Sequence, residues 1–246
     1  MCGEIADPWV RYRAEFAGIP GWCWAGWVPF LRCVDDFHRE TGTRGHLVEI
    51  GVHAGRSFVG LALCARYGET AVAVDCFGKQ QANRSWSGQG DLRLFSQTLG
   101  RYLPSEAIAR VSTITGDALE LEPYDYHQAA TVCAGAVAMP FRFVHVDGGH
   151  HLRETEHDLE IAAAIIGARG VVAVDDINNP DWPEVRTAHD RFLERHPEFV
   201  PVAIAAGHSW LCRAESFEMI AAKFRELGPA KSAPWFGRHV MIWAGG

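Results

Sequence analysis

Apolar and polar positions follow two periods along this chain. Short apolar runs recur as HLVEIGV (46–52), TAVAVDCF (70–77), VSTITGD (111–117), FRFVHVD (141–147) and GVVAVDD (170–176), followed by EFVPVAIA (198–205) and HSWLCRA (208–214). Between the first five lie stretches of helical period, SFVGLALCARYG (57–68), DLRLFSQTLGRYL (91–103) and RETEHDLEIAAAIIG (153–167). Strands alternating with helices predict a doubly wound, Rossmann-like α/β fold with a mainly parallel, seven-stranded sheet. Only Ala206 and Gly207 separate the last two runs, which predicts a closing antiparallel hairpin. GIPGWCWAGWVPFLRCVDDFHRE (18–40) reads as a loop and an amphipathic helix, SFEMIAAKFRELG (216–228) as one more helix, and KQQANRSWSGQGD (79–91) as a mobile loop over a site. We expect one domain, with an N-terminal aromatic and helical extension (1–44), a core (45–213) and a C-terminal helix and tail (214–246).

Composition narrows the partners. The chain has 246 residues, 23 basic against 30 acidic and a net charge of −7. No basic stripe suited to phosphate backbones stands out, so nucleic acid is not an expected partner. The longest apolar stretches fall well short of the roughly 20 residues that span a bilayer, and no secretory signal is evident. Seven cysteines without a C-x-x-C pair fit reduced thiols, and a cytoplasmic location is the expectation. Trp22, Trp24, Trp27 and the segment PWFGRHVMIW (234–243) supply more aromatic surface than one small core needs, which suggests a homodimer.

Each of the first five runs ends in or just beyond an acidic residue: Glu49, Asp75, Asp117, Asp147 and the pair Asp175 and Asp176. In an open α/β sheet that edge binds ligands. In VEIGVHAGRS (48–57), Gly51 and Gly55 permit a sharp turn with close ligand approach, and Ser57 is placed to cap the next helix and to meet a bound carboxylate. G-x-x-x-G is not the dinucleotide fingerprint G-x-G-x-x-G, and Glu49 would repel a pyrophosphate, which disfavours a nicotinamide oxidoreductase. S-adenosylmethionine matches better, with its ammonium at Glu49, its carboxylate at Ser57, its ribose at Asp75 and its adenine at Asp117.

E-x-G-x-x-x-G-x-S, the next strand-end Asp, GDA and then HVDGGHH with VDD resemble the class I S-adenosylmethionine-dependent methyltransferases, specifically their metal-dependent O-methyltransferase branch. Within it the pattern is similar to the catechol O-methyltransferases, to the macrocin and novobiocin sugar O-methyltransferases and to actinobacterial enzymes that methylate mannose-containing oligosaccharides. The resemblance covers about residues 45–190. It implies methyl transfer to a hydroxyl of a sugar or oligosaccharide, with a catechol-like or other small acceptor as the alternative. A non-catalytic binding module is the more distant reading.

Asp147 stands 28 residues before Asp175 and 29 before Asp176. Three carboxylates converging on one point repel one another unless a hard cation holds them, and Mg²⁺ takes oxygen ligands. The resemblance implies that Asp147, Asp175 and Asp176 are those ligands. It also makes His150 the first choice of base, since the catechol enzymes place a lysine there, with Asp147 as the other candidate. His145 lies on the same side of its strand as Asp147 and joins the catalytic candidates. Zinc on the neighbouring histidines is the lesser alternative, as no cysteine lies nearby. Trp182 offers a sugar ring an aromatic face, and Asn178 or Asn179 could bond its hydroxyls.

Overall fold

The computed structural model describes residues 7–243. Chain order is α1 (Pro8–Glu15), α2 (Trp27–Glu40), β1 (His46–Ile50), α3 (Arg56–Cys64), β2 (Ala71–Asp75), α4 (Leu92–Tyr102), α5 (Ser105–Ile108), β3 (Val111–Thr115), α6 (Pro123–Thr131), β4 (Phe141–Val146), α7 (Leu152–Ile165), β5 (Ile166–Val174), α8 (Pro183–Arg195), β6 (Phe199–Ala205), β7 (His208–Arg213), α9 (Phe217–Arg225), β8 (Lys231–Trp235) and β9 (Arg238–Ile242). The strands form one sheet in the order β3-β2-β1-β4-β5-β7-β6-β9-β8. The first five pair in parallel, and β7 runs antiparallel to both β5 and β6.

All seven expected strands form, and the expected hairpin closes through Ala206 (φ 54°) and Gly207 (φ 83°). The sheet has nine strands rather than seven, because the segment expected as a tail folds back as the β8–β9 hairpin, with β9 parallel to β6. Pro234 hides this signal, since proline has no N–H to give a ladder. It is tolerated because β8 is the outer strand.

Apolar side chains fill both faces of the sheet. On one face α2, α3 and α9 pack Trp27, Leu31, Phe58 and Phe224 against Phe143 and Trp210; on the other, Tyr126, Leu159, Ile165 and Phe192 cover Val48, Val72, Val144 and Val172. The N-terminal segment is therefore part of the core. Trp27 is wholly buried, stacked on Trp210 at 5.5 Å. Trp235 stacks on His189 at 4.9 Å and Trp243 meets Phe30 at 5.1 Å. Much of the aromatic surplus that suggested a dimer is consumed within one chain. Among the described residues no helix is long and apolar enough to cross a membrane.

Candidate active site

The carboxyl ends of β1, β2, β4 and β5 open into a cavity of about 640 Å³. Its floor depends on Gly51, with φ at 91°. A Cβ there would fall 1.7 Å from the Asp147 carbonyl oxygen, so the turns after β1 and β4 meet only because position 51 carries no side chain. Gly55, also at φ 91°, is the N-cap of α3 and lends it no side-chain bond. Ser57 is thus not the cap that the sequence suggests. It stands within the first turn, where α3 presents uncapped backbone N–H groups to the cavity.

Glu49 is a second correction. It is wholly buried and absent from the cavity wall, and the Ser57 hydroxyl donates to its Oε1. Burial pushes its carboxyl up to about 8, against the opposing bond from Ser57. Uncharged at neutral pH and shielded by Ser57, it does not offer a carboxylate to an ammonium. His145 is the third. Its register partner is Glu49, its Nδ1 lies 3.4 Å from Glu49 Oε1, and its Nε2 lies 3.0 Å from His208 Nε2. Trp27 covers the ring at 4.3 Å, and burial lowers its pKa to about 4. A neutral histidine inside the core does not reach a substrate, so His145 leaves the catalytic set.

Asp75 does line the cavity. Its two oxygens accept backbone N–H groups from His53 and Phe77, each at 2.7 Å, which fixes the carboxylate at the end of β2. Burial nonetheless raises its pKa above the usual carboxylate value. Asp117 is held by Arg84 through two bonds, of 3.2 and 2.6 Å, and accepts the Leu119 N–H at 3.1 Å. The Arg84 bond holds its pKa below the ordinary value. Arg84 belongs to the 79–91 loop, which lies over the site as its composition suggests. At the other end of the loop, a Cβ on Gly90 would approach Asp75 Oδ1 to 2.6 Å.

At the mouth of β4 and β5, Asp147, Asp175 and Asp176 all face the cavity. Asp147, His150 and Asp176 form a group whose possible ligand atoms lie within 4.8 Å of one another, and all three line the cavity. His150 Nε2 is 2.9 Å from Asp176 Oδ2 and 4.0 Å from Asp147 Oδ1, while its Nδ1 meets the Ser87 hydroxyl at 2.9 Å. Asp175 turns the other way, toward His208 Nε2 at 3.5 Å, and its Oδ1 accepts the Asp176 N–H at 2.8 Å. Asp176 sits at φ 58°, a costly conformation for a residue with a side chain. Burial acts to raise its pKa, but bonds from His150 and from Asn179 at 2.8 Å outweigh it and hold the group low. Asp147 is the reverse case: burial, then the charges of Asp175 and Asp176, push it well above the carboxylate range. Among the described residues no donor bonds its carboxylate within hydrogen-bond distance. A hard divalent cation fits this oxygen-rich set and would relieve that repulsion.

Trp182 lines the cavity and stacks on His150 at 4.6 Å and 19°. Asn179 lines it too. Asn178 does not: it is exposed on the outer side, 3.5 Å from Arg186. Sequence reasoning passed over Arg84 and Ser87, whose partners lie 33 and 63 residues away, and it read Trp22 and Trp24 as dimer surface although both line the cavity mouth. Residues distant in sequence leave no local pattern to find.

Fold and site together define a Rossmann-like, S-adenosylmethionine-dependent methyltransferase. Residues 48–177 match the methyltransferase domain family (Methyltransf_24), and the chain belongs to that family. No curated protein matches it in sequence. Among solved structures it is similar to CalS11, a calicheamicin methyltransferase also described as a TDP-rhamnose 3′-O-methyltransferase, with TM-scores of 0.53 and 0.50, 18% identity, and coverage of 75% of this chain and 78% of that one. The O-methyltransferase from Bacillus cereus in complex with SAH matches with TM-score 0.52 and 17% identity over 82% and 86% of the two chains. TomG from Streptomyces achromogenes, in complex with SAM, gives 0.52 and 16% over 87% and 92%. At these identities the likeness shows the fold.

Proposed function

We propose that the protein transfers the methyl group of S-adenosylmethionine to a hydroxyl of a sugar or oligosaccharide, with Mg²⁺ held at the mouth of β4 and β5. The observation that supports it most is the meeting of Asp147, Asp176 and His150 in the cavity that Asp75 lines at its other end. CalS11, described as acting on TDP-rhamnose, supports a sugar acceptor among proteins of this fold.

The first turn of α3 and the Gly51–Gly55 turn receive the amino-acid end of the cofactor, Asp75 the ribose hydroxyls and Asp117 the adenine. Asp147, Asp175 and Asp176 would hold the cation, which when bound makes an acceptor hydroxyl more acidic and fixes its oxygen. His150 takes the hydroxyl proton at Nδ1, the nitrogen that meets the Ser87 hydroxyl, because Nε2–H donates to Asp176, and Trp182 holds the ring. The acceptor oxygen forms a bond to the methyl carbon as the carbon–sulfur bond breaks, leaving S-adenosylhomocysteine. Positioning supplies much of the rate, since an aligned pair reacts as one molecule.

EDTA should abolish turnover and added Mg²⁺ should restore it, while S-adenosylhomocysteine affinity by calorimetry stays nearly constant. Turnover indifferent to chelation refutes the metal reading. His150→Ala should cost about 10²- to 10⁴-fold in rate. If that variant keeps its rate while Asp147→Asn loses it, the proton goes to Asp147 instead.

A further inference from the structure

The charge of the cavity bears on the chemical class of the acceptor. Seven carboxylates line it against two guanidinium groups. Both cations are already engaged. Arg56 donates to the backbone carbonyls of Ile19 at 2.6 Å and Ala17 at 3.3 Å, and Arg84 is bound to Asp117 and lies 3.8 Å from Glu154. Beyond the rim, on the helix that follows Trp182, Arg186 is bonded to Asp190 at 2.8 Å and stacks on Trp235 at 4.2 Å. Phosphate and pyrophosphate are normally met by free Arg or Lys or by a helix N-terminus. Among the described residues three helix N-termini meet the cavity. That of α3 lies at the cofactor end. That of α7 meets it through Glu154, which is itself acidic, and Glu184 already takes the Leu152 N–H at 2.6 Å. That of α8 meets it through Trp182, where Pro183 has no N–H to give.

The apolar part of the wall is aromatic and stands on both sides of the carboxylates. Trp182 stacks on His150 on the Asp176 side. Trp24 lies on the Asp175 side: a methyl placed at Gly207 would be 3.1 Å from Trp24 Cδ1 and 3.2 Å from Asp175 Oδ1. Trp24 is 63% exposed although it is part of the cavity wall, and none of the described residues covers it. Trp22 lines the same mouth and is 71% exposed, with Cys23 buried between them. Exposed indoles at a cavity mouth mark a surface made for contact.

Resting on the sugar O-methyltransferase reading above, we infer that the acceptor is a neutral glycoside without phosphate, its ring held between Trp24 and Trp182. C–H faces of a pyranose suit the two indoles, and its hydroxyl edge suits the carboxylates and Asn179. A nucleoside diphosphate sugar or a coenzyme A thioester brings two or more negative charges to a wall of seven carboxylates, with no free cationic side chain among the described lining residues. The cation proposed at Asp147, Asp175 and Asp176 is committed to those carboxylates and to the acceptor hydroxyl. On this point the chain departs from CalS11, for which the activated sugar is the stated substrate.

The test uses the purified protein with methyl-labelled S-adenosylmethionine and Mg²⁺. The panel holds neutral mono- and oligosaccharides, the nucleoside diphosphate forms of the same sugars, caffeoyl-coenzyme A and free catechol. Label should enter neutral saccharides with kcat/KM at least tenfold above their nucleotide-linked forms. Trp24→Ala should raise acceptor KM at least tenfold, and Trp24→Phe should recover most of that loss. S-adenosylhomocysteine affinity should stay within twofold in both variants. Preference for a nucleotide sugar, or unchanged acceptor KM in Trp24→Ala, overturns the inference and leaves sugar methylation standing. Transfer only to catechol, only to the coenzyme A thioester, or to no member of the panel removes the saccharide acceptor itself and this inference with it.

Discussion

Glu49 and His145 show how far a single residue can be read from its neighbours. Strand alternation tells which face of the sheet a side chain takes, and both do share a face with the site. It does not tell how far from the edge that face becomes covered. One residue short of the strand ends, α2 has already laid Trp27 over His145. The acids at the five strand ends were legible because an acid cannot be buried cheaply in a central strand, so it marks where the strand leaves the core. Glu49 breaks that rule by keeping its proton. With its carboxyl near 8 when folded against 4.5 as the ordinary value, the folded chain binds more protons than the unfolded one between those pH values. Its contribution is fully present below pH 4.5 and is lost as pH rises through 8. Glu49→Gln cannot ionise. Its melting temperature relative to the native protein should therefore rise from pH 5 to about pH 8 and level off above that. At pH 7 its affinity for S-adenosylhomocysteine should stay within about twofold, because the amide replaces an already neutral acid. A tenfold loss by calorimetry would return Glu49 to the cofactor site.

At the scale of elements, most of the sheet and the covering helices α2, α3, α4, α7 and α9 follow from periodicity, whereas β8, β9 and the contacts of the 79–91 loop do not. Pro234 interrupts one strand, and a loop's contacts depend on where its distant partners stand. The loop is attached at two points of unequal strength. The Arg84–Asp117 pair is partly exposed, at 42% and 14% of side-chain surface, and an exposed pair contributes about 0–1 kcal/mol. Removing it with Arg84→Ala should change S-adenosylhomocysteine affinity by at most about fivefold, in line with that range. Gly90 is different, because its backbone rests on Asp75 itself. A methyl at 2.6 Å from Oδ1 cannot be accommodated without moving the loop or the carboxylate. Gly90→Ala should therefore weaken cofactor binding more than Arg84→Ala does, with little change in melting temperature. Calorimetry that ranked the two in the opposite order would show that the ion pair, and not the close backbone approach, sets the loop over Asp75.

For the whole molecule, the N-terminal segment joins stability and function, and two tryptophans three residues apart separate the two. Trp27 is wholly buried and stacks on His145, His208 and Trp210, beneath the strands that carry Asp147 and Asp175. Trp24 lies at the mouth, largely exposed. Truncating a buried tryptophan removes its burial and leaves a cavity, together costing about 3–5 kcal/mol, whereas truncating an exposed one away from such contacts changes stability by about 0.5 kcal/mol or less. Trp27→Ala should therefore lower the denaturant midpoint sharply without changing the slope, and Trp24→Ala should leave the midpoint in place. The sequence presents these residues as one aromatic cluster, because indoles at 22, 24 and 27 look alike until the start of α2 is fixed. Helical phase then turns position 27 into the core, while the preceding loop leaves 22 and 24 outside. A Trp27→Ala protein as stable as the native chain would mean that the segment before β1 is an appendage, and the placement of Trp24 beside Asp175 would lose its support from the core.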